Sequence, residues 1–98
     1  MDSNQRQLSA AAWTLLEALS GLRKSVVQEI DFIKSVSPGL SPYRLEEALL
    51  EIDDIATGIS LFLSRLHDRA AAEMEGEYQA LNERFGRLEQ TVADLLGR

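Results

Sequence analysis

His67 is the only histidine of this chain, and no cysteine is present. The second absence removes thiol nucleophiles, disulfides and thiolate metal sites, and the first removes any site built on paired histidines. A carboxylate-bridged di-iron bundle needs Glu-x-x-His on two facing helices, but the residue three before His67 is Ser64. Ser60 and Ser64 share a flank with His67, yet a serine and a histidine on a straight amphipathic helix have nothing that builds an oxyanion hole. His67 therefore reads as a partly exposed structural histidine. Glu47, Glu51 and Asp54, spaced by four and then three residues, put three carboxylates on one side of a helix. A helix presents such groups divergently and offers no loop carbonyls to complete the roughly six or more oxygen ligands of a hard cation, so a solvated outer face is expected. No glycine-rich phosphate loop follows a strand. The expectation is a non-enzyme with no catalytic residue, no cofactor and no metal.

The elements that hold these residues are helices. Apolar residues recur at Leu8, Ala12, Leu15, Leu19, Leu22, Val26, Ile30 and Ile33, with Ala11 and Ala18 on the same side, a face wide enough for a bundle core. Asp2, Ser3 or Asn4 can cap its start. Ser37, Pro38, Gly39, Leu40, Ser41 and Pro42 end it: Pro38 disfavours helical geometry at Ser37, and Gly39 tolerates a left-handed one. Ser41 suits the next N-cap and Pro42 the first helical position, with Leu40 and Leu45 placed as a hydrophobic staple. Glu46 and Glu47 stand near the positive end of that helix's dipole. A short turn between two apolar faces predicts an antiparallel hairpin, with helix 1 over about 5–36, the turn over 37–41 and helix 2 from about 42. Gly21 and Gly58 fall at nearly the same height on such a hairpin, where the two helices could approach closely.

The second apolar series runs Leu45, Leu49, Ile52, Ala56, Ile59, Leu63, Leu66, Ala70, then slips to Met74 before resuming at Tyr78, Leu81, Phe85, Leu88, Val92 and Leu95. Helix 1, about 48 Å long at the standard rise, would cover helix 2 only to about Glu73. The stretch from Arg69 to Glu75 is rich in helix formers, a single interior glycine costs only about 1 kcal/mol, and no Pro, Ser, Thr, Asp or Asn stands between Arg69 and Tyr78. The slip reads as a stutter absorbed by a continuous helix. The expected fold is all-α: a hairpin whose long second helix reaches about residue 96 and assembles into a helical bundle. The alternative is a three-helix bundle with a break near Gly76, within about 74–77.

At 98 residues the chain is a single domain, and helices this long cover one another poorly without a bundle or a second chain. A formal net charge of -6 argues against nucleic acid or an anionic membrane as partner. Arg65 with Arg69, and Arg84 with Arg87, are interleaved with carboxylates and read as mixed solvated faces. No apolar run reaches the roughly 18 residues needed to span a bilayer, and the start of the chain lacks the pattern of a secretory signal, so a cytoplasmic location is expected by elimination.

Large apolar residues off the core face carry the functional expectation. Trp13 falls almost opposite the helix 1 stripe, with Leu16 and Val27 on the flank between; Tyr43, Leu50 and Leu61 lie off the stripe of helix 2. The seam Tyr78, Leu81, Phe85, Leu88, Val92 and Leu95 is narrow and coiled-coil-like, with Glu83 and Arg87 as an i to i+4 pair beside it. These twelve apolar residues are the candidate protein-interaction set. The chain reads as a protein-protein interaction or assembly module, an adaptor or scaffold that forms a homo-oligomer, with a dimer favoured, and that could bind another helical protein. The alternative is a small acidic chaperone or anti-activator that sequesters a partner's amphipathic helix.

Overall fold

The computed structural model of the chain describes residues 2–97 and contains three helices, α1 (Ser3–Val36), α2 (Tyr43–Arg65) and α3 (Ala71–Leu95), each packed on the other two. The expected continuous second helix does not form. The chain leaves helical geometry between Leu66 and Ala70, upstream of the break considered near Gly76, and Met74 and Gly76 lie inside α3. Burial explains the outcome. Turning at this point lays Met74, Phe85, Leu88 and Val92 against the hairpin, where all four are buried. Each such side chain contributes about 1.5 to 3 kcal/mol relative to exposure, whereas uninterrupted propensity across the turn is worth a few kcal/mol at most.

The turn holds no Pro or Gly, and its one residue of the capping kind, Asp68, does not cap α3. Ala70 adopts an extended conformation (φ -65°, ψ 144°) and precedes α3 with no side-chain cap. The carbonyls freed at the end of α2 are met from elsewhere: Gln5 Nε2 donates to the Leu66 carbonyl at 2.9 Å and to the Arg69 carbonyl at 2.8 Å. Gln5 is held for this by a capping box, its backbone N–H donating to Asp2 Oδ1 while its side-chain oxygen accepts from the Asp2 N–H. One residue thus secures the start of α1 and the second turn.

The first turn differs in detail from expectation. Pro42, not Ser41, occupies the cap position of α2 and supplies no side-chain hydrogen bond, and Leu40 remains exposed instead of stapling onto buried Leu45. The core face of α2 is also wider than the heptad series: Ala48, Ile55 and Phe62 are buried beside Leu45, Ile52, Ile59 and Leu66, while Leu49, Ala56 and Leu63 are only partly covered and Ala70 is exposed. Two neighbouring helices demand that width, since α1 covers one flank of α2 and α3 the other. Phe62 is among the largest fully enclosed side chains, its ring 6.2 Å from that of Tyr78.

The predicted close approach at Gly21 and Gly58 is corrected as well. A Cβ at Gly58 would lie 2.9 Å from Leu81 Cδ2 on α3, and a Cβ at Gly21 would meet nothing within 4 Å. Gly21→Ala is therefore expected to raise unfolding free energy by about 0.5 to 1 kcal/mol, read from the urea midpoint. Gly58→Leu is expected to lower it by about 1 to 3 kcal/mol by wedging α2 from α3.

Candidate interaction surface

The six predicted contact residues of α3 lie inside the bundle. Phe85, Leu88 and Val92 are buried, and Tyr78, Leu81 and Leu95 are half-buried against the same core. The seam is covered by α1 and α2 of its own chain, so it is not a free docking strip. The other six remain at the surface to different degrees. Trp13 is 55% exposed, Tyr43 56%, Leu50 70% and Leu61 54%, whereas Leu16 and Val27 are half-buried. The sequence reading missed Phe32, Val36 and Leu40, which are equally exposed near the first turn. Phe32 and Val36 stand four apart on a flank of α1 away from the Trp13 line, a pairing the i to i+4 spacing could have revealed.

These residues share one property. Every large hydrophobic side chain exposed among the described residues belongs to α1, α2 or the turn between them, and none belongs to α3. The outer surface of α3 carries Glu83, Gln90 and Asp94. The bundle is thus polar on one helix and partly apolar on the other two.

Charge is arranged across the helix junctions. Arg84 of α3 reaches Glu51 Oε1 at 2.6 Å and Asp54 Oδ2 at 2.9 Å on α2, so two of the three carboxylates expected on a free solvated face clasp a guanidinium instead. Hydrogen bonds to Glu51 and then Asp54 hold the Arg84 guanidinium further above its ordinary range, which leaves it cationic wherever the protein folds. Glu47 lines the adjoining cleft of about 410 Å³ together with Arg44, Arg87 and Leu88. Farther along the same junction Arg65 stands 3.2 Å from Glu77. No ion pair joins Glu83 to Arg87 among the described residues.

The α1–α2 junction is bridged on its outer side by Arg23 and Asp53 at 3.2 Å and, more loosely, by Lys34 and Glu46 at 3.9 Å. Between α1 and α2 runs a shallow groove of about 280 Å³ whose lining includes Leu16, Ser20, Ile52 and Ala56. His67 is exposed in the second turn, and the Ser64 hydroxyl donates to the Leu61 carbonyl at 2.8 Å, so the two make no dyad. No group of three or more His, Asp or Glu suited to a metal ion occurs among the described residues. No helix there is long and apolar enough to cross a membrane. Comparison with protein-family models, curated proteins and solved structures finds no match to this chain.

Proposed function

We propose that this protein is a non-enzymatic interaction or assembly module that self-associates through helix packing. The observation that carries the reading is the confinement of exposed large apolar side chains, Trp13, Tyr43, Leu50 and Leu61 among them, to α1, α2 and their turn. Scattered exposed leucines are ordinary, but a set that spares α3 and includes the only tryptophan fits a surface that meets another helix layer. The dimensions support it too. The bundle measures 52 × 20 × 15 Å and has a radius of gyration of 15.9 Å, against about 13 Å for a compact domain of this length.

Its accessible surface is 6256 Å², where a monomer of 10.9 kDa ordinarily exposes about 5600 Å². The excess, roughly 650 Å², approaches the roughly 800 Å² that each partner contributes to a standard interface. Light scattering across a concentration series tests the reading. A molar mass rising toward twice 10.9 kDa, with Trp13 emission shifting to the red on dilution, is the expected result. A mass of one chain at every concentration would sink it. In that case, a Trp13 shift on adding a cationic amphipathic peptide would support the chaperone or anti-activator reading instead.

A further inference from the structure

The charges and the groove on α1 and α2 specify how a second copy would sit. Arg23 and Lys34 place cations along the α1 edge of this face, and Glu46 and Asp53 place carboxylates along the α2 edge. Arg23 and Asp53 pair directly across the junction, so they stand at the same height along the bundle, and Lys34 and Glu46 do so about three helical turns farther along. The groove between the helices has an apolar floor at Leu16, Ile52 and Ala56, and small Ser20 lets another backbone approach.

We infer that a second copy of this chain packs on the α1–α2 face about a two-fold axis parallel to the helices, forming a four-helix layer. The inference rests on the self-association reading and adds to it the face and the symmetry. Under that operation α1 of each copy lies over α2 of the other at unchanged height. Arg23 then meets Asp53 of the second copy while keeping its own, and four charges alternate around a closed square. The other two-fold in the face, perpendicular to the helices, would stack α2 on α2. That arrangement sets the α2 edge with Glu46 and Asp53 of one copy against the same edge of the other, and the α1 edge with Arg23 and Lys34 likewise against its counterpart, which like-charge repulsion opposes. An isologous contact of the first kind needs no residue outside this face.

Reciprocal charge reversal provides the test. In the Arg23→Glu variant the square would hold four carboxylates, and in Asp53→Arg four guanidinium groups. Both residues are exposed, so each variant keeps its fold, which circular dichroism checks. Each variant alone is expected to dimerise about tenfold or more weakly than the unmodified chain. An equimolar mixture is expected to regain a dimer, because glutamate at 23 of one chain meets arginine at 53 of the other. If each variant alone dimerises as well as the unmodified chain, the face is wrong while self-association stands. If the mixture stays monomeric, the proposed pairing is wrong. If the unmodified chain is itself monomeric, the functional reading fails along with the inference.

Discussion

Replacing Phe62 with alanine is expected to lower the unfolding free energy by about 3 to 5 kcal/mol, the range for emptying a large aromatic site in a packed core. Phe62 has no exposed surface, and Tyr78 of α3 packs beside it with ring centroids 6.2 Å apart. Neighbouring side chains on three rigid helices cannot collapse fully into the space, so the loss exceeds simple transfer of the ring to water. Domains of this size hold only about 5 to 15 kcal/mol in total. The variant should therefore sit near its unfolding transition at 37 °C, with a urea midpoint far below that of the unmodified chain. A shift under about 1 kcal/mol would mean that Phe62 is not enclosed between α2 and α3.

Gln5→Ala is the second large effect, and it tests the turn that the sequence reading did not anticipate. The substitution removes two donated hydrogen bonds, to the carbonyls of Leu66 and Arg69, and one half of the capping box with Asp2. Each bond contributes about 0.5 to 1.5 kcal/mol net, and loss of the reciprocal cap adds about as much, so a total near 2 kcal/mol is expected. Its location matters more than its size. Amide exchange should accelerate first in the opening turn of α1 and across residues 66–73, while the middle of α2 retains its protection until global unfolding. Glu at this position would not substitute, because a carboxylate has no N–H to donate. Uniform acceleration throughout the bundle, or none, would contradict the strap.

The hairpin was legible in the sequence because its signals were local. Pro38 and Gly39 announced the first turn, and Leu15, Leu19, Val26 and Ile30 marked the buried stripe of α1. The second turn was not legible because its causes lie far apart in the chain. Ala70, a strong helix former, is the residue that turns extended, and what makes that tolerable is a side chain more than sixty residues earlier together with burial of Met74, Phe85 and Val92. Local propensities differ by less than about 1 kcal/mol per residue, and burial of a single large side chain exceeds that. The slip in the apolar series did fall at the right place: Leu66 and Met74 are both enclosed, and Ala70 between them faces solvent where helical phase is lost.

Phe62 was overlooked for a related reason. Ala48, Ile55 and Phe62 repeat every seven residues beside Leu45, Ile52 and Ile59. A two-helix reading had no use for that second line, whereas a helix flanked on both sides requires it. The candidate surface was half legible. Trp13, Tyr43, Leu50 and Leu61 were placed outward and are exposed, while the α3 seam was assigned outward and is covered, since periodicity reports that a face is buried without naming what buries it. The clasp of Arg84 by Glu51 and Asp54 could not be read, because the pairing depends on how α3 returns along α2.

The two short connections, Ser37 to Pro42 and Leu66 to Ala70, also bear on how the molecule reaches this state. Each joins helices that are neighbours in both sequence and space, so α2 can zip onto α1 or onto α3 by closing a loop of only a few residues. Only the α1–α3 junction must wait for a distant encounter. A search of that kind is brief, on the microsecond to millisecond scale typical of helical bundles rich in local contacts. α2 is the common docking strip for both routes, so mutations along Ile52, Ile55 and Ile59 should alter the folding rate as well as the final stability. Those on the late-forming α1–α3 junction should act mainly on the rate of unfolding.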